Sequence, residues 1–211
     1  MSAIIWVEPA IEQAVRALLA KPSGDITVAD TAVVTELNVP EAQLHKLDDL
    51  HHFPNLTAFI AHRNLVSDLA PLAELAHLRR LVMWGNRVRN TSPLAKLFAL
   101  EELCLSGNDL EDITPVAGLT NVKWLSMHDN RIRDISPVAR MDLRKPYLNS
   151  NQIEDLSPLS GMVNMGELYI SHNRVRSLEP LASLPHLRIL DAAENPIEDW
   201  ACVAHIEQVI R

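Results

Sequence analysis

Glycine is scarce in this chain, at six of 211 residues. No glycine-rich loop able to cradle a phosphate is present, which argues against nucleotide chemistry. Cysteine is scarcer, with only Cys104 and Cys202. No run approaches the roughly 18 apolar residues of a membrane span. The N-terminus, MSAIIWVEPA, lacks a basic leading region and meets an acid at Glu8, so it makes a poor secretory signal. Positive charge is also short: 19 Lys and Arg stand against 27 Asp and Glu, a net charge of -8. That balance disfavours a nucleic-acid partner, which needs uninterrupted basic surface. These deficits leave an expectation of a cytoplasmic protein with no membrane segment.

What is present is a period. Asparagine returns at Asn64, Asn86, Asn108, Asn130, Asn151, Asn173 and Asn195, almost always 22 residues apart. Each follows leucine-like residues eight, five and three places earlier and precedes an aliphatic two places later, as Leu100, Leu103, Leu105 and Leu110 show around Asn108. This is the leucine-rich repeat signature, in which turns that cannot close a core alone stack to share one. Counting back from Asn64 reaches Ala42, framed by Leu37, Val39, Leu44 and Leu47, so eight turns are expected, the first without its Asn.

The return segments carry Ser92-Pro93, Thr114-Pro115, Ser136-Pro137 and Ser157-Pro158, with Pro71 and Pro180 in the same register. A hydroxyl N-cap followed by proline predicts a short helical turn on the convex side. The predicted fold is therefore α/β: a curved solenoid with a parallel sheet on its concave face. One domain is expected over residues 1–211, divided into a helical N-terminal cap (1–34), eight turns (35–199) and a C-terminal cap helix (200–211). Ile11, Val15, Leu18 and Leu19 mark the first cap helix. Thr27 and Asp30 form a capping-box pattern, and Asp199 precedes the stripe Trp200, Val203, Ile206 and Ile210. Cys104 and Cys202 fall about 20 Å apart at roughly 4.8 Å per strand, too far for a disulfide, which fits a reduced setting.

Strand residues six, four and two places before each Asn point away from the core as three columns. They hold 24 of the 211 residues but four of the six Trp and Tyr: Trp84, Trp124, Tyr147 and Tyr169. Ile60, Val82 and Cys104 extend the middle column as an apolar stripe. Aromatics also suit strands for packing reasons, but Thr or charged residues would serve an idle solvent face equally well. Exposed aromatics beside arginine are the composition of an interface hot spot. The candidate partner-binding residues are Ile60, His62, Val82, Trp84, Trp124, His128, Tyr147 and Tyr169. Arg63, Arg80, Glu102, Asp129 and Lys145 supply the polar, orienting part. A monomer is expected rather than a homodimer.

Catalysis is not expected. Cys104 and His128 invite a nucleophile–base reading but lie about 8 Å apart at sheet spacing. His62, His128 and His172 never fall in adjacent turns, so neither a metal nor another cofactor is expected. Arg87/Arg89, Arg131/Arg133 and Arg174/Arg176 alternate with Asp109/Glu111, Gln152/Glu154 and Glu198, which reads as a surface ion-pair ladder. The sixth turn is one residue short and carries Pro146 at an inward leucine position. Proline removes a backbone donor, so a bulge or a lost ladder bond is expected there.

The segment Leu105 to Val116, LSGNDLEDITPV, resembles the internalin-type class of bacterial leucine-rich repeat proteins. The lead-in Lys21 to Asp30, KPSGDITVAD, is similar to the helical cap that often precedes such arrays. The resemblance covers roughly residues 8–200. It implies a protein held on the concave face, with no enzymatic activity. Members that adhere or invade carry a signal peptide, an immunoglobulin-like domain and a wall anchor. None is visible here, so adhesion at a cell surface is not expected. Other readings are an immunity protein or inhibitor of a basic toxin or enzyme, an effector exported without a classical signal, and a self-associating structural solenoid.

Overall fold

A computed structural model describes residues 2–211 as a stacked series of turns around one continuous apolar core. Seven short strands follow in order: β1 (Glu36–Asn38), β2 (Ala58–Ile60), β3 (Arg80–Val82), β4 (Glu102–Cys104), β5 (Trp124–Ser126), β6 (Glu167–Tyr169) and β7 (Ile189–Asp191). An eighth, β8 (Gln208–Ile210), ends the chain. All neighbouring strands pair in parallel, in orders β1-β2-β3-β4-β5 and β6-β7-β8. No helix among the described residues is long and apolar enough to cross a membrane.

Each turn is closed by its asparagine amide. Asn173 is typical: its Nδ2 donates to the carbonyls of Leu148 at 3.0 Å and Ile170 at 2.9 Å, while its Oδ1 accepts from Ile153 N at 2.9 Å. One side chain thus satisfies backbone groups of its own turn and of the turn before it. Asn64 does the same for the first turn, accepting from Ala42 N and Leu44 N, both at 2.9 Å. The residue before each ladder position turns the corner in the left-handed region, with φ between 53° and 69° at Glu41, Arg63, Gly85, Gly107, Asp129, Ser150, His172 and Glu194. Only two of these corners are glycine, the residue that adopts that conformation without strain.

The convex returns are short 3₁₀ turns, and their caps differ from the expectation. The hydroxyl residue is already inside the turn, and no N-cap side chain bonds there. An acid or amide two residues earlier caps the turn instead: Asp112 Oδ1 accepts from Thr114 N at 2.8 Å, Asp134 from Ser136 N at 2.7 Å and Asp155 from Ser157 N at 2.8 Å. Asp68, Asn90 and Asp199 repeat the contact. The hydroxyls donate back, Ser157 Oγ to Asp155 Oδ2 at 2.6 Å. The side-chain and backbone donors of Thr114 and Ser157 hold the carboxyls of Asp112 and Asp155 below their ordinary value of 3.8.

At the N-terminus, helix α1 (Pro9–Leu18) buries Ile11 and Val15 against the first turn, and α2 (Val28–Thr31) begins at the Thr27–Asp30 capping box. Two carboxylates tie this region to the solenoid. Buried Asp49 accepts from Val7 N at 2.9 Å and Glu8 N at 2.8 Å, and Glu8 Oε1 accepts from Lys46 N at 2.7 Å.

The C-terminal cap helix is not there. Residues Ala201–Val203 form another 3₁₀ turn, and β8 pairs with β7 as Leu190↔Val209. The last residues therefore continue the solenoid by a further rung. Their apolar spacing resembles a helix face because the return segments themselves place an inward residue every third position: Val203 and Ile206 repeat Leu181 and Leu184, and all four are buried.

Pro146 breaks the sheet where the sequence placed the fault. Tyr147 keeps isolated bridges to Ser126 and Tyr169, but the sixth turn forms no strand. The Lys123 carbonyl accepts only a long bond from Arg144 N at 3.5 Å, against 2.8 Å for the equivalent bond from Arg79 N to the Thr57 carbonyl. On the loop edge, Asp109 collects Arg89 at 3.3 Å and Arg131 at 2.9 Å, and Arg176 reaches Glu198 at 4.0 Å. Arg133 bonds Gln152 at 3.0 Å. Such exposed contacts contribute about 0–1 kcal/mol each.

Replacing Asn173 by alanine strands the buried Ile153 N–H, while the Leu148 and Ile170 carbonyls each keep a second amide donor, from Asn151 and Asn195. Urea unfolding is expected to show a loss of about 1–3 kcal/mol. For Asp155→Ala, thermal unfolding at neutral pH should occur at lower temperature than in the parent. A depressed carboxyl stabilises the fold above its unfolded-state value and loses that effect as pH falls through the folded one. The gap between parent and variant should therefore close as pH is lowered past 3.8.

Candidate functional site on the concave face

The strand register carries the middle column without interruption through Asn38, Ile60, Val82, Cys104, Ser126, Tyr147, Tyr169, Asp191 and Ile210. Its character changes along the axis. Ile60, Val82 and Cys104 are buried and form a small apolar cluster with Trp84. The Trp84 ring lies flat against His62, with centroids 4.5 Å apart and planes 6° from parallel. The Arg63 guanidinium sits 4.8 Å over the same ring and pairs with Glu41 at 3.0 Å. His62 Nδ1 is shut off from solvent with no hydrogen-bond partner. Five of the expected residues thus make one packed N-terminal group in which Ile60 and Val82 serve as floor.

A second group forms around the disrupted sixth turn. Tyr147 and Tyr169 stack with centroids 4.8 Å apart, and Trp124 tilts against Tyr147 at 6.0 Å. Lys145 Nζ bonds Glu167 at 2.6 Å and lies 5.5 Å and 5.4 Å from the two tyrosine rings. The Tyr169 hydroxyl donates to Glu167 at 2.7 Å. The Glu167 carboxyl is accordingly held below its ordinary value, first by Lys145 and then by Tyr169. Lys145 is pushed above its ordinary range, first by Glu167, and Tyr169 is raised above 10 by its bond to the same carboxylate. Trp124 is the most open of the four concave aromatics, at 37% exposure. Between the groups, Arg80 pairs with Glu102 at 2.9 Å. His128 Nδ1 lies 2.9 Å from Asp129 Oδ2 on the corner edge.

A hollow of about 400 Å³ separates the two groups, bounded by Trp84, Cys104, Trp124, Ser126, His128 and Tyr147. It exists because the middle column dips to small residues there: Cys104 and Ser126 are 5% and 4% exposed. Ser126 Oγ is bonded to Ser106 Oγ at 2.7 Å, so the floor's hydroxyls are largely satisfied by each other. The small floor residues are not among the expected site residues. Their signal in the sequence is two short side chains set between aromatics in the columns. A polar network outside the expected set continues beyond the tyrosines: Asn149 Nδ2 donates to Ser171 Oγ at 2.6 Å, and Ser171 Oγ to Asp191 Oδ2 at 3.0 Å. Burial pushes the Cys104 thiol upward, away from the thiolate a nucleophile requires. Both cysteines are free. Among the described residues no three His, Cys, Asp or Glu side chains gather as a metal site.

A family model for leucine rich repeats (two copies) matches residues 164–205. Internalin C2 of Listeria monocytogenes superposes with a TM-score of 0.93 at 28% identity, over 99% of each chain. The chain has the fold of the internalin-type leucine-rich repeat proteins. An InlF internalin of the same organism matches with TM-score 0.72 at 24% identity, over 98% of this chain and 76% of its own. A leucine-rich repeat protein of Leptospira interrogans matches with TM-score 0.66 at 22% identity, over 73% of this chain and 47% of its own. These last two likenesses concern the fold alone. No curated protein sequence matches the chain. Internalin-like leucine-rich repeat folds are typically non-enzymatic, and leucine-rich repeat proteins generally bind protein partners.

The bond between Tyr169 and Glu167 can be read directly. In a Tyr147→Phe background, Tyr169 is the only tyrosine left, and its tyrosinate absorbance should appear with a midpoint above 10. Adding Glu167→Gln should lower that midpoint, because the carboxylate charge that opposes ionisation is gone.

Proposed function

We propose that this internalin-type protein is a non-enzymatic binding module that holds a protein partner on its concave face. The observation that carries the reading is the open aromatic edge: Trp124 stands 37% exposed beside the Tyr147–Tyr169 stack, above a hollow walled by three aromatic rings. Large aromatics in a water-excluding depression are the anchors on which protein interfaces concentrate their energy. The neighbouring ion pairs, Arg80–Glu102 and Lys145–Glu167, make a polar rim that fixes orientation. Ile60 and Val82 contribute by supporting Trp84. The free thiols of Cys104 and Cys202 suit a reducing, cytoplasmic setting.

The acidic balance of the chain, -8 overall, favours a basic partner and speeds its approach. An inhibitor or immunity role towards a basic toxin or enzyme is the narrower form of this proposal.

Trp124→Ala is the clean test, because Trp124 is exposed while Tyr169 is engaged by Glu167 and Tyr147. The variant should unfold within about 1 kcal/mol of the parent. In affinity capture from source-cell lysate read by mass spectrometry, it should lose the partner, an effect of about 2 kcal/mol or more in binding. A large stability loss with capture intact would reverse the assignment of this face.

A further inference from the structure

The charges on the concave face and its corner edge do not balance. Seven carboxylates lie there, at Glu36, Glu41, Glu102, Asp129, Glu167, Asp191 and Glu194, against three cations, Arg63, Arg80 and Lys145. Each cation is already engaged: Arg63 by Glu41 at 3.0 Å, Arg80 by Glu102 at 2.9 Å and Lys145 by Glu167 at 2.6 Å. Among the described residues, Glu36, Asp129, Asp191 and Glu194 have no lysine or arginine within ion-pair distance. The protein's own positive charge on this surface is used up, and negative charge is left over.

The aromatic rings show the same pattern. Arg63 covers Trp84, and Lys145 sits beside Tyr147 and Tyr169. Trp124 has no cation of its own, although it is the most exposed ring of the set. It stands on the wall of the hollow whose corner side carries His128, next to Asp129, which no lysine or arginine answers. A long side chain entering there meets a floor of Cys104 and Ser126, aromatic faces at Trp84, Trp124 and Tyr147, and His128, whose ring lies 2.9 Å from the Asp129 carboxylate on the corner edge. Arginine matches each of these features. Its stem covers apolar surface, its plane stacks on an indole face, and its charge answers the carboxylate.

We propose that the hollow between Trp84 and Tyr147 receives an arginine side chain from an exposed basic segment of the protein partner. This rests on the concave-face reading above and specifies the chemistry of what that face takes. An apolar side chain in the same hollow would leave the Asp129 carboxylate without a cationic partner.

The four tryptophans make the test local. Trp84 and Trp124 line the hollow, while Trp6 packs beside His52 and Phe53 and Trp200 lies under Arg211 at the other end. The full chain, labelled with nitrogen-15, is titrated with a short peptide alternating arginine and glycine while the indole N–H resonances are followed. Peptides with leucine or glutamate in place of arginine serve as comparisons. The expected result is saturable movement of the Trp84 and Trp124 signals with Trp6 and Trp200 still. The leucine peptide should bind more weakly and the glutamate peptide should leave all four signals unmoved. Trp124→Ala should weaken the arginine peptide about tenfold or more, and Asp129→Asn should weaken it measurably. Equal movement of all four indoles, no movement up to millimolar peptide, or tighter binding of the leucine peptide would each overturn the proposal. If Trp124→Ala abolishes partner capture while the arginine peptide is silent, only this inference fails. If capture survives Trp124→Ala, the reading beneath it fails as well.

Discussion

Everything in this molecule depends on the buried asparagine amide. A turn of about 22 residues has too little apolar surface to close by itself, and its corner leaves backbone donors and acceptors pointing away from the sheet. The amide answers both problems. Asn151, for example, bonds carbonyls at Met127 and Leu148 and accepts from Ile132 N, so it joins its own turn to the one before. Leaving such groups unpaired out of water costs more than any surface contact returns. The ladder therefore fixes the axial register of every strand, and with it the columns of the concave face.

That dependence explains what is legible in the residues. Strand positions, column membership and the weak point at Pro146 all follow from counting relative to Asn, and the structure agrees with the count. The C-terminal rung escapes the count because a threefold apolar spacing at Val203 and Ile206 fits a 3₁₀ return as well as it fits a helix face. The convex caps are ambiguous for a local reason. In Asp155-Leu156-Ser157-Pro158 both Asp and Ser can cap, and the frame of the 3₁₀ turn places the shared backbone donor on Ser157 itself. Within the concave columns, side-chain direction is readable but depth is not. Ile60 and Val82 lie buried and Trp84 is half covered by His62 and Arg63, whereas Trp124 stays open, because curvature and neighbouring side chains set exposure.

The same face shows how a regular sheet acquires an irregular surface. The backbone columns repeat almost unchanged from β1 to β5, so relief comes from side-chain volume alone. Large rings at Trp84, Trp124 and Tyr147 around Cys104 and Ser126 make a depression with no insertion or loop. Pro146 adds a second departure. It ends strand pairing beside that depression and leaves Tyr147 held by single bridges to each side. The ring is nevertheless fixed, by its stack on Tyr169 and by Lys145.

The left-handed corners have a consequence for how this protein can change. Glu41, Arg63, Asp129, Ser150, His172 and Glu194 hold a backbone conformation that glycine adopts more easily, at roughly 1 kcal/mol each. Their geometry is imposed by the ladder and not by their own identity. These six corners of the solenoid are thus interchangeable letters on a fixed line, each able to carry a charge, a hydroxyl or an imidazole without disturbing a leucine beneath. A lineage that inherits this fold can rewrite what the rim presents one residue at a time, and every revision to glycine returns stability while erasing a letter.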